Sequence, residues 1–344
     1  MRQSVTSRPA VICLYSPVAD RGVFDRVGFY RDDRAALASR GHQVITTNRV
    51  MDLVRHRPHR IVGYFYSKAV LAAVIGRLSG ARVILTGGAD EISPAVRRGL
   101  GLYARQGVAF LGLLLAHRIL LSCSDDVSRF QRLALGSARL RAKIGYSPHI
   151  IRAISTRPTP RTPAPGQFRA FTICWMGSVA NVRRKGVDLA IRLVAGLRRI
   201  GVDATLDIAG TDGPGRDYLH QIAHAHHVTD AIRFLGTIAE AEKLDRFTHD
   251  TVYLQLSSHE GFGLAAAEAF FSGMIVVHSN NGGLADVIGG RGLVVDAEAT
   301  MASGESAIRT FYQAFLRFRV DEAYLSTGIH AYGLEERAKD LLDA

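Results

Sequence analysis

Short apolar runs alternate with helix-length amphipathic segments along most of the chain. In the first half, strands are predicted at AVICLYS, HQVITT, RIVGYFY, ARVILTGG and RILLSCS. Helices are predicted from Arg31 to Ser39, ending before Gly41, and over the amphipathic stretch Lys68 to Leu78. Strands that alternate with helices imply a parallel sheet covered on both faces. The alternation stops at TRPTPRTPAPG, from Thr156 to Gly166, which holds four of the ten prolines. Proline fixes φ and removes a donor, so this stretch reads as a semi-rigid linker.

Beyond it the pattern resumes. Strands are predicted at FTICWMG, ATLDIAG, AIRFLG, TVYLQLS and MIVVHS. Between them lie helical segments at VDLAIRLVAGLRRI, Tyr218 to His226, Glu240 to Phe247 and LAAAEAFF. The expected fold class is therefore α/β: two doubly wound, Rossmann-like parallel-sheet domains facing a cleft. The first spans residues 1–156 and the linker 157–166. The second spans residues 167–324, and a helix over about 325–344 packs back on the first. A length of 344 residues agrees with two domains.

No segment reaches the ~18 uninterrupted apolar residues of a membrane-spanning helix. The nearest, GVAFLGLLLAHRILLSC, is broken by His117 and Arg118. MRQSVTSRPAVICLYSP lacks the apolar run of a signal peptide, so a cytoplasmic location is expected. Cys13, Cys123 and Cys174 are isolated in strand-like stretches with no metal-site spacing and read as buried thiols. The net charge of +12 is uneven. Residues 1–165 hold 26 Lys and Arg against 9 Asp and Glu, whereas residues 166–344 hold 17 against 22. The first half thus suits an anionic partner: nucleic acid, a membrane surface or a phosphorylated acceptor.

Candidate chemistry concentrates in the second half. In SSHEGFGLAAAEAFF, Glu260 follows a strand, and Gly261 and Gly263 precede a helix that starts near Leu264. Glycines there let backbone approach a ligand, and the N–H groups of a helix's first turn favour a phosphate. Glu268 lies one turn into that helix, where a carboxylate can accept hydrogen bonds from two ribose hydroxyls. WMGSVANVRRKGVDLAI places Arg183, Arg184 and Lys185 just beyond another strand, where cations can hold a diphosphate or form a solvated charge run. NNGGLADV puts Gly282 and Gly283 after the next strand. The histidines of HQIAHAHH read as a solvated helix surface rather than a metal site.

These motifs, in this order and spacing from about Thr172 to Asp296, resemble the retaining glycosyltransferases of family 4 (glycosyl transferases group 1), which have the two-domain GT-B architecture. The resemblance rests on Lys185-Gly186, IAGTDGPG, FLGTI, Glu260 and Glu268 with seven residues between them, and GG followed by Asp286. It implies that Lys185 and one of Arg183 and Arg184 bind a donor diphosphate together with Gly263 and Leu264. Glu260, Gly261, Phe262 and Gly263 would meet the donor sugar, Glu268 the ribose, and Gly236, Thr237 and Ile238 the base. It further implies a metal-independent enzyme with no cofactor beyond a UDP- or GDP-sugar co-substrate. The acceptor would be a glycolipid, glycan or other hydroxyl compound in bacterial-type glycolipid or surface polysaccharide synthesis.

The chain departs from the family at several points. Ser178 follows Gly177 where an arginine is frequent, Leu256 precedes Ser257 where proline is usual, and Met274 replaces another proline. Where relatives place a catalytic-site histidine after the fourth strand, this chain reads LTGGADEIS, with Asp90 the nearest polar candidate for that catalytic role beside Glu260 and Lys185; the N-terminal glycine pair is reduced to Gly22 on the acceptor side. Alternative readings are a GT-B epimerase or phosphorylase, or a basic protein that binds or glycosylates nucleic acid. No nucleic-acid-binding signature favours the latter. RRGLGLYARQGVAFLGLLLAHR, from Arg97 to Arg118, suits either a core helix or docking at the periphery of an anionic membrane surface.

Overall fold

The computed structural model describes residues 9–94, 96, 98–152 and 158–343. The expected boundary at residue 156 and the first linker residue, 157, lie outside them, as do the first eight residues. The chain divides into two compact units, Met1–Ile150 with Ala331–Ala344, and Ile151–His330.

The first unit is a six-stranded sheet. Its strands are β1 (Val11–Tyr15), β2 (Gln43–Thr47), β3 (Arg60–Tyr64), β4 (Arg82–Gly87), β5 (Arg118–Leu121) and β6 (Ile144–Tyr146). They run parallel in the order β2-β1-β3-β4-β5-β6. Ile61, Val62, Ile84 and Leu85 are fully buried, and alternate residues feed separate cores on the two faces. Burial on both faces is why these strands read as continuous apolar runs rather than alternating ones. Strand order reverses between β1 and β3, so the loops after them diverge and leave a crevice at the carboxyl edge.

The closing helix, Leu334–Leu342, belongs to this unit and is held by buried charge. Arg337 and Asp33, from helix Gly28–Ala38, form a fully buried two-pronged pair at 2.7 and 2.8 Å. Its remaining donors reach Ser147 Oγ at 2.7 Å and Thr86 Oγ1 at 3.0 Å, while Tyr64 donates to Asp33 at 2.8 Å. Burial works against the Asp33 carboxylate, but the Arg337 guanidinium outweighs it and holds the pKa below the usual range. Arg60 donates to the carbonyls of Leu341 and Leu342, where the negative end of the helix dipole favours a cation.

The second unit is also six-stranded: β7 (Gln167–Ile173), β8 (Asp203–Ala209), β9 (Ile232–Gly236), β10 (Val252–Gln255), β11 (Ile275–His278) and β12 (Leu293–Val294). The order is β12-β11-β10-β7-β8-β9, all parallel. Counted from β7 this is 3-2-1-4-5-6, the dinucleotide-binding order, and it reverses between β7 and β10. Two doubly wound Rossmann-like sheets are thus the fold expected from the sequence. The short strands β6 and β12 were not anticipated. IGY and LV offer too few apolar residues for a recognisable run and pair only at a sheet edge. Among the described residues, no helix is long and apolar enough to cross a membrane.

Removing one partner of a buried pair strands the other charge. Arg337→Ala is therefore expected to cost about 3–5 kcal/mol of stability, read by urea denaturation; a loss below about 1 kcal/mol would contradict the anchoring role of this pair.

Candidate functional site

The loops after β7, β10 and β11 meet at the reversal point of the second sheet, and glycine permits each approach. Ser178 caps the short helix Val179–Arg184 by accepting from Asn181 N at 3.2 Å. The chain then turns through Gly186 at φ 66° into helix Val187–Arg199. A Cβ on Gly186 would lie 2.0 Å from the Leu256 carbonyl oxygen. One on Gly282, itself at φ 58°, would lie 2.1 Å from the Glu260 carbonyl oxygen. One on Gly283 would lie 2.4 Å from Phe262 Cα. Real Cβ atoms do not come so close, so side chains are excluded and backbone packs on backbone. Ser258 N donates to Arg184 O, and Gly283 N to Glu260 O, both at 2.8 Å.

This packing brings Lys185 onto Glu260, 75 positions later, with Nζ 2.5 Å from Oε2. The same carboxylate oxygen accepts from Ser257 Oγ at 3.3 Å and Gln255 Nε2 at 3.4 Å. Gln255 also donates to Ser257 Oγ at 2.6 Å. Glu260, Gln255 and Ser257 are all buried. Burial pushes the neighbouring Cys174 thiol up to about 11, against the pull of Lys185 and Arg184, so it stays protonated and inert near neutral pH. Gly261, Phe262 and Gly263 continue the loop; Gly263, at φ 84°, opens helix Leu264–Phe271. The N-terminus of that helix at Leu264 therefore lies a few residues from the ion pair, at the reversal point.

The structure separates the two candidate arginines. Arg184 turns inward and donates to the His259 carbonyl at 3.1 Å and to Asn181 Oδ1 at 2.9 Å. Arg183 is exposed, lies over the Tyr218 ring at 4.8 Å and donates to its hydroxyl at 3.0 Å. Buried Glu268 pairs with Lys243 at 2.9 Å. Lys243 sits on helix Glu240–His249, which carries the chain from edge strand β9 across to β10. Burial opposes the Lys243 charge, but the Glu268 and Glu240 carboxylates outweigh it and raise its pKa. Gly236 ends β9 at φ 68°, Thr237 Oγ1 lies 3.4 Å from Thr211 Oγ1, and Ile238 is half-buried beyond them.

On the first unit, Gly22 opens a one-turn helix in the loop after β1, and its N–H donates to Asp20 at 2.8 Å. Asp90 begins a 3-10 turn just after β4. The adjoining charge cluster is built on its neighbour Glu91, which takes Lys68 and Arg105 at 3.4 Å and a hydrogen bond from Ser67. Glu91, Gln255, Ser257 and Lys243 escaped the sequence reading. A buried Gln ending the apolar strand TVYLQ was a usable signal; nothing local to Lys243 points to Glu268. His220, His224 and His227 are exposed, and among the described residues no group of three or more His, Cys, Asp or Glu could hold a metal ion.

Residues 175–313 match the family model described as glycosyl transferases group 1. The match covers the loops after β7, β10 and β11 that form this arrangement. The glycogen synthase of Mycobacterium tuberculosis is 38% identical over 127 residues, 37% of this chain and 30% of that protein. A GDP-mannose:cellobiosyl-diphosphopolyprenol alpha-mannosyltransferase of Komagataeibacter xylinus is 29% identical over 167 residues, 48% of this chain and 39% of that protein. The chain thus spans well under half the length of these relatives. Among solved structures, Anabaena HepE in complex with UDP-glucose aligns with a TM-score of 0.66 at 14% identity, over 96% of this chain and 95% of that one. That likeness shows the two-domain Rossmann-like fold of GT-B glycosyltransferases.

If backbone contact builds the arrangement, glycine chemistry should test it. Gly282→Ala is expected to cost about 4 kcal/mol or more, from the strain of φ 58° with ψ −131° plus a backbone collision. Gly304, at φ 78° and ψ −161° with nothing within 4 Å of a Cβ, should lose only the backbone strain, about 1–3 kcal/mol, on the same change. Equal losses in paired denaturation curves would refute the close-approach argument.

Proposed function

We propose that this chain is a retaining, metal-independent glycosyltransferase that moves a hexose-like sugar from a UDP- or GDP-sugar to an acceptor hydroxyl. The observation that carries the reading is the Lys185–Glu260 pair, set between the loops after β7 and β10 where the strand order reverses. Doubly wound sheets bind nucleotides there. The family match over the same loops, and the solved complex of a structural neighbour with UDP-glucose, support a nucleotide-sugar donor.

In this reading Lys185 and Arg184 receive the diphosphate, with the helix N-terminus at Gly263 and Leu264. Arg184 is chosen over Arg183 because it bonds to the loop that carries Glu260, whereas Arg183 is turned onto Tyr218. As the bond between anomeric carbon and phosphate oxygen breaks, charge grows on the leaving diphosphate. Preorganised cations and amides stabilise that charge without reorganising. An entering diphosphate competes with Glu260 for the Lys185 ammonium. Glu260, released in part but still held by Gln255 and Ser257, then accepts hydrogen bonds from sugar hydroxyls. Glu268, oriented by Lys243, takes the ribose hydroxyls, and Gly236 to Ile238 lie against the base. Asp90 is the proposed catalytic candidate of the first unit, and Gly22 is assigned to the acceptor side. The acceptor is a glycan or glycolipid hydroxyl compound reached from the cytoplasm, and the similarity to a transferase named for a diphosphopolyprenol acceptor favours a lipid-linked one.

The two glutamates separate experimentally. Glu268→Ala should weaken binding of free nucleoside diphosphate about tenfold, the loss of roughly one charge-assisted hydrogen bond. Glu260→Gln should leave that binding within a few-fold and lower turnover at least a hundredfold, because it faces the sugar. Calorimetry with the free diphosphate and steady-state transfer assays read the two effects; equal losses of affinity in both variants would contradict these roles. Proton NMR of the first product should show the anomeric configuration of the donor, and an inverted product would remove retention from the proposal.

A further inference from the structure

Helix Leu100–Leu115 is apolar on both sides. Ala109, Gly112 and Leu113 are buried in the core of the first unit, with Gly112 close against Leu85 and Val70. The opposite side exposes Leu100, Tyr103, Leu111 and Leu114, at i, i+3, i+11 and i+14, which fall along one face of the helix. Leu100 is 88% exposed, and on the adjacent helix Val70–Leu78 the terminal Leu78 is 84% exposed. A soluble surface tolerates scattered apolar residues, but a row of them along four turns marks an interaction face.

Charge selects the partner. The sequence has no acidic residue between Glu91 and Asp125, and none from Gln131 to Pro165. Around the carboxyl end of the helix, cations crowd one another. Lys143 donates to the Leu113, Leu114 and Ala116 carbonyls, and its pKa is lowered by burial and then by Arg77 and Arg139. His117 is lowered by burial, then by Arg77, Arg82 and Lys143. Among the described residues no carboxylate pairs with Arg77, Arg82 or Arg139, and Arg77 meets His117 at 2.8 Å, so these cations gain from an external anion. An apolar row beside such a cluster is the composition of a helix that lies in a lipid headgroup layer.

We propose that the outer face of helix Leu100–Leu115, with the Arg77, Arg82 and Arg139 cluster at its carboxyl end, docks the protein on an anionic bilayer surface. Leu100, Tyr103, Leu111 and Leu114 enter the headgroup region, and the arginines meet lipid phosphates. Docking of this kind is peripheral and reversible, and its strength rises with anionic lipid content and falls with salt. The inference does not depend on the donor-site reading, since it rests on the first unit alone.

The test is co-sedimentation of the full chain with vesicles of 30% phosphatidylglycerol in phosphatidylcholine, at low and high salt. Binding is expected at low salt, with little to pure phosphatidylcholine. Leu111→Glu, on an exposed position outside the core, should reduce binding at least tenfold with an unchanged melting temperature. Arg77→Ser and Arg139→Ser should each reduce it about fivefold, the ratio equivalent to ~1 kcal/mol per basic residue. Absence of binding to anionic vesicles at low salt overturns the proposal, as does binding that Leu111→Glu leaves unchanged. Light scattering that shows a dimer broken by Leu111→Glu, with no vesicle binding, would assign the face to a second copy of the chain instead. Transfer to a soluble acceptor, measured on the same variants, should stay at wild-type rates; its loss in wild type would count against the donor-site reading and not against docking.

Discussion

The second unit depends on backbone packing against backbone where its strand order reverses. Glycines at 186, 282 and 283 occupy points where a Cβ would fall far inside van der Waals contact, on Leu256, Glu260 and Phe262. Two of the three also need left-handed φ values, 66° and 58°, that other residues adopt only with strain. Because the loops touch through main chain, Lys185 and Glu260 can meet at 2.5 Å although they come from different loops. A larger residue at any of these points would hold the loops apart and dissolve the pair. The placement of the charged groups is therefore a consequence of where the chain has no side chain.

The same logic of distant charges fixing elements runs through both units. Asp33 and Arg337 join positions 304 residues apart and bind the closing helix to the first sheet. Lys243 and Glu268 join the helix after β9 to the helix after β10. The first pair is fully buried and in the second Glu268 is buried and Lys243 partly so; each is further hydrogen-bonded or doubly paired, the condition under which attraction offsets desolvation. Such pairs contribute little net stability against an apolar replacement but make a wrong arrangement costly, since it would leave a buried charge alone. For Lys185–Glu260 the same property leaves a cation and a carboxylate close to a helix N-terminus, each with polar neighbours already oriented.

Much of this was legible in the sequence because parallel strands buried on both faces announce themselves as apolar runs. RIVGYFY and ARVILTGG became β3 and β4, and TVYLQLS became β10, with the expected helices between them. The glycine-rich loops were legible for the opposite reason: glycines after strand ends mark close approach, and EGFG and NNGG do approach. Long-range pairings were not. Nothing near Lys243 indicates Glu268, and nothing near Arg337 indicates Asp33, because both pairings are set by crossovers that bring separate helices together. The choice between Arg183 and Arg184 also needed coordinates, since one helical step turns one guanidinium onto Tyr218 and the other onto the His259 carbonyl. Likewise, Arg97 to Arg118 read as core or surface with equal force, and the helix within it proves to have a buried side and an exposed one.

The proposed function turns on whether the reversal point of the second sheet binds a nucleoside diphosphate. A thermal-shift titration of the full chain with UDP, GDP and their sugar conjugates tests it most directly. One diphosphate series is expected to stabilise the protein in a saturable manner, by about 2.7 kcal/mol at a hundred times its dissociation constant, while the corresponding nucleoside without phosphates gives little shift. A flat response to every nucleotide and nucleotide sugar, or equal shifts from nucleosides and diphosphates, would contradict it.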